Sequence, residues 1–179
     1  MGLNILKLEL SEQILKDGGH FELSPMYHSI ILEDLIDILN ICRSYGDRIP
    51  NEYNVEQDRW ILLIQKMVFW LKSMIHPDGE IAFFNDATFG VAAVPEEIFN
   101  YVSRMNISHK TQLKPFGLMV DTGYFRAQKG NALLIGDIGK VGADYIPGHA
   151  HADTLSFEMS LNKKRVFVNS GVSKYGSDE

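Results

Sequence analysis

Two short stretches of this chain concentrate side chains that move protons or hold cations. The first, Asp17-Gly-Gly-His20-Phe-Glu22-Leu-Ser24-Pro-Met-Tyr27-His28, places two histidines, a glutamate and a tyrosine within twelve residues. Ser24 followed by Pro25 reads as an N-cap and first helical residue, which sets Tyr27 in the first turn. The partial positive charge at a helix N-terminus eases formation of a phenolate, the setting in which a tyrosine serves as general acid or base. Beside Tyr27, the residues His20, Glu22 and His28 are candidates for holding a substrate. The alternative is an aromatic that packs and histidines that face water.

The second stretch is Pro147-Gly-His149-Ala-His151-Ala-Asp153. In an extended segment, residues two apart share a face, so His149, His151 and Asp153 would point the same way, with alanines leaving room. Two imidazoles and a carboxylate suit a metal or acid–base chemistry; a hydrogen-bonded histidine pair at a strand edge is the plainer alternative. Elsewhere, His76 before Pro77 reads as a helix C-cap, His109 as a solvated loop residue, and Trp60, Trp70 and Cys42 as core. Gly136-x-x-Gly139 lacks the glycine pattern and the Lys-Ser/Thr of a phosphate loop.

The elements that must position these residues change character near residue 110. Leu3 to Leu15 carries a rough helical face ending at Asp17-Gly18-Gly19. A helix from Ser24 repeats Ile31, Leu35, Ile38 and Cys42 and stops at Gly46. A third opens at Asn54 with the stripe Trp60, Ile64, Met67, Leu71 and Met74, and a short fourth covers Pro95 to Met105. Beyond residue 110 the period shortens to two. Strands are expected at Gly123–Gln128, Ala132–Asp137, Leu155–Leu161 and Arg165–Asn169. Leu155, Phe157, Met159 and Leu161 form the clearest apolar face. The class is α+β, a helical region over 1–110 followed by antiparallel strands over 111–179.

Composition narrows the partners. The 179 residues carry a net charge of −6, which argues against nucleic acid and anionic membranes, both of which need a basic face. One cysteine rules out an internal disulfide and a Cys-rich metal site. The densest apolar run, Trp60 to Ile75, is broken by Gln65, Lys66 and Lys72 and does not qualify as a membrane span. Without a recognisable signal peptide the expected location is cytoplasmic, or the cell envelope if the natural start lies upstream of Met1.

Taken together, the two clusters resemble the heparinase II/III-like family of polysaccharide lyases. The likeness rests on Asp17 to His28 with Leu32-Glu-Asp-Leu35, on His76-Pro-Asp-Gly79, on Gly148-His-Ala-His-Ala-Asp153-Thr-Leu-Ser-Phe157, and on Val166-Phe-Val-Asn-Ser-Gly171-Val-Ser-Lys-Tyr175. It implies part of an incomplete α/α toroid joined to the start of a β-sandwich, and cleavage of acidic, uronate-containing polysaccharide by β-elimination. By that resemblance Tyr27 and His149 are the catalytic acid–base pair, and His151 is a ligand of a structural divalent metal, zinc or calcium. The family's metal-binding aspartate falls 18 positions after His151, where this chain has Asn169, a weaker, neutral ligand. A third ligand, a later histidine, would lie beyond Glu179. The family's carboxylate-neutralising Asn-His element precedes the tyrosine block and is not among these residues, so the segment alone is expected to be inactive. Two alternatives remain: a non-catalytic carbohydrate-binding relative, and a metallo-hydrolase. The latter motif continues with histidine directly after the aspartate, where Thr154 stands.

Overall fold

The computed structural model describes residues 2–51, 54–109, 112–142 and 151–171. Four helices come first: α1 (Gly2–Gln13), α2 (Pro25–Ser44), α3 (Asn54–Ser73) and α4 (Pro95–Arg104). Five strands follow: β1 (Phe116–Met119), β2 (Tyr124–Lys129), β3 (Ala132–Asp137), β4 (Phe157–Leu161) and β5 (Lys164–Phe167). The chain is α+β, as its sequence pattern suggests.

The helices bury one another. Leu32, Leu35, Ile36 and Leu39 of α2 pack with Ile64, Met67 and Leu71 of α3 and with Ile98 and Val102 of α4. The α3 stripe runs as expected, with Trp60, Ile64, Met67, Leu71 and Met74 all buried. On α2 the buried face is rotated: Leu32, Ile36 and Leu39 share it with Leu35 and Cys42, while Ile31 and Ile38 sit at its margin.

The strands form one antiparallel sheet in sequence order. Strand β1 carries no clear alternation and was not foreseen. The β4–β5 turn uses Asn162 and Lys163, both at positive φ (51° and 66°), the backbone that matches a tight hairpin to the twist of its strands. Pairing sets three rows on the face toward the helices: Met119–Tyr124–Asp137, Arg126–Ile135–Glu158 and Leu133–Ser160–Arg165. Met119, Tyr124, Leu133 and Ile135 join Leu23, Trp70, Met74, Ala82 and Phe84 in a second core between helices and sheet.

The alternation in β4 is inverted relative to expectation. Glu158 and Ser160 are buried while Phe157 and Leu161 are exposed. The polar face turns inward because His76 and Arg165 meet it there, as described next. On the far side of the sheet, Phe116, Leu118, Phe157 and Phe167 remain exposed.

Candidate active site

The loop before α2 is shaped by packing. Asp17 Oδ1 accepts the Gly19 N–H at 3.1 Å. Its Oδ2 accepts from the Asp121 N–H (2.9 Å), the Thr122 N–H (2.7 Å) and the Thr122 hydroxyl (3.0 Å). One carboxylate thus staples the loop to the β1–β2 turn. Gly18 adopts φ +96°, and a Cβ there would fall on the Lys66 carbonyl; one on Gly19 would strike Thr122 and the Trp70 indole. Asp17-Gly-Gly is therefore fitted to the groove between α3 and the sheet.

Beyond this loop, Ser24 occupies the N-cap position of α2 without a side-chain capping hydrogen bond, and Pro25 opens the helix. Tyr27 lies in the first turn, partly buried against the helical core. His28 is fully buried. Its Nδ1 accepts the His20 N–H at 3.3 Å, and its Nε2 donates to the Met67 carbonyl at 3.0 Å. Burial lowers its pKa to about 3, against the smaller raising effect of the Met67 hydrogen bond; nearby His20 adds a further lowering. His28 is thus a neutral strut between the loop and α3. His20 is buried as well, 3.7 Å from the Glu22 carboxylate. Of the three substrate-binding candidates only Glu22 is not fully buried.

His149 lies outside the described residues. Its neighbours His151 and Asp153 are described, and they meet the Tyr27 region through Asn85. Asn85 is 1% exposed and has φ 55°. Its Oδ1 accepts the His151 N–H at 3.0 Å, and its own N–H donates to Asp153 Oδ2. Its Nδ2 donates to the Leu23 carbonyl at 3.0 Å and to the Tyr124 hydroxyl at 3.3 Å. Tyr124 in turn donates to the same Leu23 carbonyl at 2.8 Å. One asparagine therefore joins the residue before the α2 N-cap, the sheet, and the histidine segment. The sequence reading missed it, although Asn85-Asp86 after an aromatic pair was a visible turn signal.

The segment from His151 to Ser156 is not the extended strand expected; β4 begins at Phe157, after Leu155 at φ 70°. Asp153 accepts from the Asn85 backbone N–H. Beside it, burial raises the Asp137 pKa to about 6 against the opposing Gly139 hydrogen bond, and Asp153 pushes it further up.

His151 and Asn169 line the same cavity, of about 420 Å³, together with Asn85, Asp86 and Thr88. The Asn169 side-chain oxygen accepts the Gly171 N–H at 3.0 Å. Among the described residues no group of three His, Cys, Asp or Glu gathers around one point. An imidazole and an engaged neutral amide do not fit a tight zinc site.

The wall of this cavity rests on a buried network. His76 Nδ1 lies 2.7 Å from the Ser160 hydroxyl, and its Nε2 lies 2.9 Å from Glu158 Oε2. Glu158 Oε1 accepts the N–H groups of Phe83 (3.1 Å) and Asn169 (2.8 Å). Arg165 donates to Asp78 at 2.7 Å and to the Ile81 carbonyl at 2.8 Å, and reaches Glu158 at 3.4 Å. His76 is thus an interlayer contact and not a helix cap. The Ser–His–Glu order has hydrolase chemistry, but all three residues are sealed from solvent. His109 is likewise no free loop residue: it meets Ser103 at 2.8 Å and Lys72 at 3.2 Å and stacks on Phe99.

Helices with Tyr27 in the first turn of α2, beside an antiparallel sheet, define a class, and comparison with known proteins identifies it. The Heparinase II/III N-terminus family matches residues 1–112, and the Heparinase II/III-like, C-terminal family matches residues 111–179. This chain belongs to the heparinase II/III family. It is 35% identical over 86 residues to a heparin-sulfate lyase of Bacteroides stercoris, covering 48% of this chain and 12% of that protein. To a heparin-sulfate lyase of Pedobacter heparinus it is 21% identical over 197 residues, 99% of this chain and 28% of the relative. The crystal structure of a heparan sulfate lyase HepC mutant from Pedobacter heparinus shares its fold, with a TM-score of 0.77 at 20% identity over 99% of this chain and 29% of that one. The chain thus spans under a third of the length of these relatives. Among the described residues no helix is long and apolar enough to cross a membrane.

Proposed function

We propose that this segment supplies the acid–base pair, Tyr27 and His149, of a polysaccharide lyase that cleaves uronate-containing chains, heparan sulfate among them, by β-elimination. The supporting observation is the Asn85 bridge, which couples the start of the Tyr27 helix to the segment following His149. In the reaction a base removes the C5 proton of the uronate. The released electron pair forms the C4–C5 double bond as the C4–O bond breaks, and an acid protonates the departing oxygen. Tyr27 lies in the first turn of α2 and is the proposed partner of His149 in moving these protons. Neutralising the uronate carboxylate falls to groups outside these residues, so the 179-residue segment alone is expected to be inactive; such a preorganised electrostatic contribution is typically worth about 10²–10³ in rate. The reading is tested by ultraviolet absorbance of unsaturated uronate with Tyr27→Phe and His149→Ala beside the parent, all three expressed from the complete reading frame. Saturable polysaccharide binding with no new double bond would instead favour a non-catalytic carbohydrate-binding relative.

A further inference from the structure

Two arginines of the sheet face the helical layer, and they are treated differently. Arg165 is saturated: Asp78, Glu158 and the carbonyls of Glu80 and Ile81 all accept from it. Arg126, at the centre of β2, is half-buried with its Nε shut away from solvent and meeting no acceptor. Burial alone pulls its pKa down, with no carboxylate acting to raise it. A desolvated guanidinium with no anion beside it is unusual, because its planar fork normally binds a carboxylate or another oxyanion.

Arg126 opens into a cavity of about 370 Å³ between the end of α3 and strand β1. Phe69 and Ser73 form one wall, Gln112 and Lys114 the rim, and no Asp or Glu is among the lining residues. Gly117 pairs directly with Arg126, and a Cβ built on it meets nothing within 4 Å, so the cavity is open beside this strand pair. The Ser73 hydroxyl donates to the Phe69 carbonyl at 3.0 Å, which leaves Arg126, Lys114 and Gln112 as the donors facing the cavity. In a chain of net charge −6, this is a cationic pocket free of carboxylates. None of its lining residues lines the His151–Asn169 cavity.

We propose that this cavity is an oxyanion-binding site, taking a sulfate or carboxylate group on Arg126 with Lys114 and Gln112 as flanking donors. It stands independently of the Tyr27–His149 chemistry. The site is tested by titrating the chain with sodium sulfate, sodium glucuronate and an N-sulfated disaccharide at constant ionic strength, following the Arg126 Nε–H resonance. A saturable shift is expected, and Arg126→Gln should weaken sulfate by about tenfold or more, with Lys114→Gln weakening it less. Because Arg126 has no partner to lose, Arg126→Gln should leave the melting temperature unchanged or raised. A disaccharide that binds more tightly than sulfate assigns the site to a sugar chain; equal binding assigns it to free oxyanions. No saturable response, or sulfate binding unaltered in Arg126→Gln, overturns the proposal. A marked fall in melting temperature also overturns it, since that would reveal a structural partner already in the cavity.

Discussion

Replacing Asn85 should loosen the joint between the two motif segments, and the size of the effect follows from its bonds. In Asn85→Ala the His151 N–H loses its acceptor at 3.0 Å, and a part-buried donor left unpaired costs about 1 kcal/mol. The Leu23 carbonyl keeps its bond from Tyr124, so loss of the two Nδ2 contacts adds only about 1 kcal/mol. Holding alanine at φ 55° adds about another 1 kcal/mol. The total is about 3 kcal/mol. Asn85→Gly removes the same side chain but tolerates the left-handed backbone, so it should be less destabilising by about 1 kcal/mol, less the flexibility glycine adds to the unfolded chain. Urea unfolding of the three proteins measures both differences. If Asn85→Ala costs under about 1 kcal/mol, the hub is not a joint and this reasoning fails.

Acid should destabilise the fold partly through His28. Its folded pKa, about 3, lies below the ordinary 6.5, so its contribution is fully present above pH 6.5 and is lost as the unfolded chain takes up a proton at lower pH. Between pH 7 and 5 this amounts to about 2 kcal/mol; Asp137, with its pKa raised to about 6, acts in the opposite sense and offsets part of it. Urea unfolding at both pH values should show a smaller acid loss in His28→Gln and a larger one in Asp137→Asn. Glu158→Ala should cost about 3–5 kcal/mol, because it strands His76 and two backbone donors in the interior; calorimetry on the variant checks this. Asn169→Asp should raise zinc affinity by about tenfold or more, since a carboxylate replaces a neutral amide in the His151 cavity; competition with a chromogenic chelator reads it.

The helical half was legible because its signals are local. The Ser24-Pro25 cap and the Trp60–Met74 stripe each lie within one element and are dictated by the helical period. Strand β4 was misread for the opposite reason: the faces of Leu155–Leu161 are set by His76 and Arg165, which lie far from it in sequence. Its alternation marked a strand correctly but named the wrong side as buried. His28 read as a candidate for holding substrate, and Asp153 as sharing a face with His149 and His151, on residue type and spacing alone. Tertiary contacts with Met67 and Asn85 use their polar atoms inside the protein instead. Asn85 itself was invisible, since nothing local distinguishes a hub asparagine from a turn asparagine.

The central claim is that Tyr27 and His149 act as one acid–base pair, and the release of unsaturated uronate tests it most directly. The protein should be expressed from its complete reading frame and assayed on heparan sulfate and alginate, with Tyr27→Phe and His149→Ala alongside. The account predicts absorbance growth in the parent and a loss of about 10²-fold or more in each variant. Retained activity in either variant, or a parent that opens no uronate polysaccharide, would contradict it.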